Sequence, residues 1–192
     1  MALELDVGNA ASLAAAARVA ADVSLLFNNA GVLASYNVLA STPEQIAEDF
    51  STNFYGLVAT TKAFLPALER AGGAGGSALV NILSVVSLAN MPALGGYSVS
   101  KAAAFSFTQA LRGELSKLHV SVHAVFPGPI DTDMVRGMEM EKTSPEEVAH
   151  AIIAGIEQGL EDIAPDAVSR DFLATWKRDP KRLEAQFASM SP

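Results

Sequence analysis

Ala78-Leu79-Val80-Asn81-Ile82-Leu83 and Val120-Ser121-Val122-His123-Ala124-Val125-Phe126 decide the fold, together with the stretch 97–118 between them. Each is a short apolar run, rich in branched residues and closed by polar, Gly or Pro residues, which is the pattern of a buried strand. Between them, from Tyr97 to Leu118, apolar residues recur at three- and four-residue steps, the spacing of one helix face. Strand, helix and strand in succession form a parallel pair bridged by the helix. Working outward, residues 3–7 and 23–27 read as further strands, and 10–21, 43–70 and 145–159 as further helices. The expected fold is α/β, a doubly wound parallel sheet with helices on both faces, in a single domain over 1–192. Two helix starts are marked by a hydroxyl cap, a proline at the first position and a reciprocal Glu or Gln: Thr42-Pro43-Glu44-Gln45 and Ser144-Pro145-Glu146-Glu147. Residues 72–76, Gly-Gly-Ala-Gly-Gly, make a flexible turn, and 160–192 is more charged and holds short helices over the substrate side.

Composition narrows the function. Of 192 residues, 50% are hydrophobic and 18% charged, enough to bury a substantial core. A formal net charge of −8 repels nucleic acid and anionic membrane surfaces, so a small uncharged molecule is the better partner. The chain has no cysteine, which excludes disulfides, thiolate nucleophiles and cysteine metal sites. His119, His123 and His150 do not stand at metal-ligand spacing and read as core or surface residues; no metal is expected. The first residues lack a basic region and a long apolar stretch, and no run reaches the roughly 20 apolar residues of a membrane span. A soluble, cytoplasmic protein is the expectation.

Tyr97 and Lys101 stand four residues apart, so on a helix phenol and ammonium share a face. A phenol titrating near 10 is a poor base at neutral pH, but a neighbouring ammonium favours its ionised form. Such a pair can exchange a proton with a substrate oxygen. Alone, the spacing more often marks an exposed pair on a solvated helix.

Four further pieces surround it in order. The strand 23–27 runs into Asn28-Asn29-Ala30-Gly31, where glycine permits close backbone approach at the carboxyl end of a parallel strand. Asn53 interrupts the helical stretch 43–70 and is followed by Gly56. Ser84 ends the strand 78–83 ahead of Tyr97, with Ser87 as a rival of less suitable spacing. Pro127-Gly128-Pro129-Ile130-Asp131-Thr132 ends the strand 120–126. Singly these read as turns, a solvated Asn and a Pro-Gly bend. In this order, over essentially the whole chain, they resemble the short-chain dehydrogenase/reductase family.

The resemblance implies a Rossmann-like fold and hydride transfer between NAD or NADP and a small-molecule carbonyl or alcohol. It implies that Tyr97 is the acid/base, Ser84 holds the substrate oxygen, Lys101 holds the nicotinamide ribose and lowers the phenol's pKa, and Asn53 orders a relay water. It places Asn28, Ala30 and Gly31 beside the adenine ribose, Pro127 and Gly128 in a loop over the nicotinamide, Ile130 and Thr132 on its carboxamide, and Asp6 near the adenine. Helices matching 43–70 and 97–118 form a dimer interface in the family, which implies a homodimer or homotetramer.

One part of the family pattern does not precede Asp6: the strand, Gly-rich turn and helix that receive the pyrophosphate, and the strand that selects between NAD and NADP. Gly73-Ala74-Gly75-Gly76-Ser77-Ala78 has the spelling but leads into a strand, so it is rejected. The fold is therefore expected to be N-terminally incomplete, starting near the third strand, with cofactor binding weakened or lost and a sheet edge exposed. Either the chain continues upstream, or residues 3–7 have moved into the first-strand position. Two other functions stay open: a dehydrogenase-like scaffold without turnover, and an acyl-serine hydrolase, since Ser98-Val99-Ser100-Lys101 spells Ser-x-x-Lys and Lys142-Thr143-Ser144 resembles its partner motif. Substrate choice falls to 88–96, the loop after Thr132, and the tail with Phe172 and Trp176, none of which selects one compound.

Overall fold

Leu79 and Val80 are neighbours in sequence, point to opposite sides of their strand, and are both fully buried. A strand buried on both faces needs helices on both faces. The computed structural model, which describes residues 1–190, has that arrangement. Strands β1 (Leu25–Asn28), β2 (Ser77–Ile82), β3 (Val120–Val125) and β4 (Asp162–Ile163) are parallel and lie in the order β1-β2-β3-β4. The helices are α1 (Ala10–Val19), α2 (Pro43–Phe50), α3 (Leu57–Gly73), α4 (Gly95–Leu115), α5 (Pro145–Glu157), α6 (Ala167–Arg178) and α7 (Pro180–Ser189).

Leu68 of α3 and Leu111 and Leu115 of α4 pack on Leu79, Val120 and Val122 on one face. Val148 and Ile152 of α5 pack on Val80, Val125 and Ile163 on the other. Near the carboxyl ends of the strands a third cluster joins Phe105 and Phe126 to Phe172, Leu183 and Phe187, so α6 and α7 roof the end of α4 that carries Tyr97. Burying a large apolar side chain contributes roughly 1.5–3 kcal/mol. Both capping boxes form as spelled, at Thr42 on α2 and Ser144 on α5. The glycine turn uses backbone that other residues avoid: Gly75 and Gly76 have φ of 140° and 125°.

Two expectations are corrected. Residues 3–7 form no strand: Asp6 enters a turn that leads to the Asn9 cap of α1, and Val7 seats on Gly56, where a Cβ would lie 2.8 Å from its methyl. They therefore do not fill a first-strand position. The outer edge of β1 has no strand partner among the described residues, and Leu25 and Phe27 stay partly exposed there. The helical stretch 43–70 is interrupted around Asn53, where α2 passes through a π-helical turn over Ser51–Gly56 into α3. The tail contains, besides its two helices, the short strand β4, too brief to leave a periodic signal; residues 191–192 of the expected 160–192 tail lie outside the described residues.

Candidate active site at the carboxyl end of the sheet

The start of α4 gathers the proposed acid/base residues. Gly95 and Gly96 let this turn press against the loop after β1, because side chains there would collide with Val38 and Ser35. Tyr97 and Lys101 follow on the buried side, 8% and 5% exposed, with the ammonium 5.8 Å from the phenol ring centre. Lys101 Nζ donates to the Ile82 carbonyl at the end of β2, at 3.0 Å. The Ser84 hydroxyl faces the Tyr97 phenol and accepts from the Val86 amide at 3.3 Å. Ser87 is spent elsewhere, accepting from the Ser84 amide at 3.2 Å.

Asn53 lies in the π-helical turn and is 1% exposed. Its oxygen accepts from Val32 N at 2.9 Å, and its amide donates to Val32 O at 2.9 Å and Ser100 Oγ at 3.0 Å. A π-turn frees backbone groups from the regular ladder and swings a side chain out of register, which suits a residue that must reach a neighbouring loop. A Cβ on Gly31 would stand 3.3 Å from Asn53 Oδ1 and 3.5 Å from Lys101 Nζ. The structure thus brings Gly31, Asn53, Ser84, Tyr97 and Lys101 into one cluster.

Its electrostatics run against the sequence expectation. Burial pushes the Tyr97 phenol up from its ordinary value, the Asp49 carboxylate pushes it further, and the Ser84 hydroxyl offsets part of this. Burial also brings Lys101 down to about 8, with Asp49 acting in the opposite sense. The ammonium was expected to lower the phenol; in the folded chain both groups are desolvated, and desolvation disfavours the charged form of each.

Other candidates sit apart. Asn28 is buried and its amide donates to Thr61 Oγ1 at 3.0 Å and Asn81 Oδ1 at 2.8 Å, while Asn81 donates to Thr108 Oγ1 at 2.9 Å. This polar ladder ties β1 and β2 to α3 and α4, with Asn29 and Ala30 exposed beyond it. The Pro127 carbonyl accepts from Val85 N at 3.1 Å, which joins this loop to the residue after Ser84. Ile130 is half-buried and bridged to Thr143, and Thr132 is exposed, its hydroxyl 3.4 Å from the Ile130 carbonyl. Asp6 is exposed and its carboxylate accepts from Gly8 N at 2.8 Å.

Two residues escaped the sequence reading. Asp49, fully buried, accepts from Ala34 N at 2.9 Å, from Ser35 N at 3.1 Å and from the Ser35 hydroxyl. Its signal was its place one helical turn before Asn53, on the same face. Asp166 caps α6 and accepts from Gly128 N at 2.8 Å; the Asp-x-x-Ser spelling of its capping box was there to be read. The hydrolase pattern finds no geometry: Ser98 is 1% exposed and donates to Leu94 O at 2.8 Å, Ser100 donates to Tyr97 O at 2.7 Å, and Ser144 is a helix cap. Two surface hollows, about 440 Å³ between α1 and α3 and about 480 Å³ beside β3, contain none of the cluster. The buried titratable pair marks the site better than hollow size does. Among the described residues no helix is long and apolar enough to cross a membrane.

A parallel α/β sheet with a phenol–ammonium pair at the carboxyl ends of its strands defines the class. The model of the short chain dehydrogenase family matches residues 1–143, and the chain belongs to that family. It is 36% identical to the short chain dehydrogenase TazN of Aspergillus terreus, over 71% of this chain and 31% of that one. It is 32% identical to SadH of Mycobacterium tuberculosis, named as an oxidoreductase, over 81% of this chain and 65% of that one. The chain thus spans less than two thirds of these relatives. Among solved structures it is similar to a short chain dehydrogenase from Burkholderia cenocepacia J2315 in complex with NADP, with a TM-score of 0.91 and 33% identity over 97% of this chain and 80% of that one. A family member from Burkholderia phymatum in complex with NAD shares the fold, with a TM-score of 0.82 at 23% identity, over all of this chain and 79% of that one.

Proposed function

We propose that the protein is an NAD(P)-linked oxidoreductase acting on a small carbonyl or alcohol, with Tyr97 as its proton donor and acceptor. The observation that carries this is the buried Tyr97–Lys101 pair with Ser84 on the phenol. A bound nicotinamide supplies or accepts the hydride. Tyr97 gives its proton to the substrate oxygen in reduction and takes it back in oxidation, and Ser84 holds that oxygen by a hydrogen bond. The residues present fit the ribose end of the cofactor. Lys101 Nζ has three donors and, among the described residues, gives one to Ile82 O, leaving two for ribose hydroxyls. Gly31 keeps the approach to it open. Asn53 fixes the loop that carries Gly31 and, through Ser100, the turn that carries Tyr97.

The described residues include no glycine-rich turn leading from a strand into a helix, the element that receives a pyrophosphate. Exposed Tyr55 and Val99, on the π-turn and α4, support pairing of two copies along those helices, to be read by sedimentation. The central test mixes the protein with NADH or NADPH and a panel of aldehydes and ketones and follows loss of reduced nicotinamide by absorbance. Turnover that Tyr97→Phe removes supports the reading. Turnover that survives the substitution overturns the role of Tyr97, and absence of measurable binding of either cofactor, with no turnover, favours a scaffold without a competent cofactor site.

A further inference from the structure

Asp49 is a fully buried carboxylate that the acid/base scheme does not use. It stands one turn before Asn53, and the two side chains grip successive residues of the loop after β1. Asn53 takes both backbone groups of Val32, while Asp49 takes Ala34 N, Ser35 N and the Ser35 hydroxyl. That hydroxyl lies against Gly96, where a Cβ would collide with it, and Gly96 N donates to the Tyr36 carbonyl at 3.2 Å. The carboxylate is thus wedged, through one serine, against the residue that precedes Tyr97.

We propose, building on the reading above, that Asp49 is a positioning residue for the proton-transfer pair. Through Ser35 it fixes the first turn of α4, and its fixed negative charge keeps Lys101 an ammonium and Tyr97 a phenol. Two buried donors of opposite role need this. Burial alone would strip the charge from Lys101, which already stands at about 8, and a neutral amine holds ribose hydroxyls less firmly than an ammonium. The groups around the pair are the Ile82 carbonyl from β2, Ser84, and Asn53 from the π-turn, with Asp49 of α2 behind Ser35. Among the described residues, Asp49 is the charged group acting on both Tyr97 and Lys101.

The test needs no turnover, so its failure is separable from failure of the dehydrogenase reading. In the unliganded, isotope-labelled protein the Lys101 Nζ signal is titrated by NMR and identified by its loss in Lys101→Met. Asp49→Asn should move the Lys101 midpoint downward from about 8, because it removes the negative charge that favours the ammonium. Ser35→Ala, which keeps the charge, should move it far less. A folded Asp49→Asn whose Lys101 titrates as in the parent overturns the proposal, as does a Ser35→Ala shift as large as that of Asp49→Asn. Should Asp49→Asn not fold, the carboxyl carbon of Asp49 in the parent decides: ionised at neutral pH supports the proposal, and protonated overturns it.

Discussion

The first turn of α4 and the loop that follows β3 face the same end of the sheet but are held differently. Around Tyr97, the bonds of Asn53, Ser100, Ser35, Asp49 and Lys101 are all buried or partly buried. From Gly128 to Thr143 the backbone is held by Asp166 at Gly128, by the pairing of residues 129–131 with Thr143 and by a local turn over Asp133–Val135, with mostly exposed residues between. On the proposed function, the proton half of the chemistry is thus preorganised by the fold. The half expected to cover the nicotinamide depends for its order on contacts made from outside it. Fixed donors need no reorganisation at the moment of reaction, whereas a loop that closes can admit and release ligands.

The largest expected effect breaks the contrast on the preorganised side. Tyr97→Phe removes a hydroxyl and leaves the buried ring, so the fold should persist while turnover falls by roughly 10²–10⁴-fold, the usual worth of a positioned acid or base. Stopped-flow absorbance of the reduced nicotinamide, with thermal unfolding as the control, separates the two. Substitutions at Thr132, on the loop, should instead change KM and kcat together, because they alter closure and not the proton donor.

A second test uses pH. Lys101 has its folded pKa lowered to about 8 from 10.5 by burial. Below 8 both folded and unfolded chains carry the charge, and the folded state bears the full cost of burying it. From 8 to about 10.5 the unfolded chain holds more protons than the folded one, so stability rises with pH, by about 3 kcal/mol in total for such a difference. Tyr97, raised when folded, acts oppositely above about 10, where the unfolded phenol begins to ionise. Denaturant unfolding between pH 7 and 10 should therefore show a rising slope that Lys101→Met abolishes. A flat parent curve would mean that the ammonium is better solvated than its burial implies.

The contrast also explains what the sequence could reveal. The α4 pair, Ser84 and the strands were legible because periodic burial and fixed spacing are local properties of the chain. The two capping boxes were legible for the same reason. Residues 3–7 misled because Leu3, Leu5 and Val7 alternate like a strand, and a strand exists only where a neighbour offers a ladder. Instead Val7 found a glycine on a helix. The Asn28 amide donates to Thr61 and Asn81, partners 33 and 53 residues away that no local pattern announces. Asp49 was passed over because an acidic residue on an amphipathic helix reads as solvated; only the folded loop shows three donors converging on it.

The smallest expected effect falls on the loop's own anchor. Asp166 is 4% exposed, and its two oxygens hold Ser169 N, at the start of α6, and Gly128 N, each at 2.8 Å. Replacing it by alanine removes a helix cap, worth typically about 1 kcal/mol, and leaves the Gly128 amide without its partner, at about 1 kcal/mol or more if buried. Asp166→Ala should thus cost about 2 kcal/mol. Asp166→Asn should recover part of this, since its side-chain oxygen can still cap the helix but accepts for only one side. If the two halves of the site are independently held, hydrogen exchange should speed up in 128–143 and the first turn of α6 while the Lys101 titration stays where it is. A Lys101 midpoint that moves with Asp166→Ala would instead show the halves to be coupled. The coupling route would run from Pro127 through Val85 N to the residue beside Ser84.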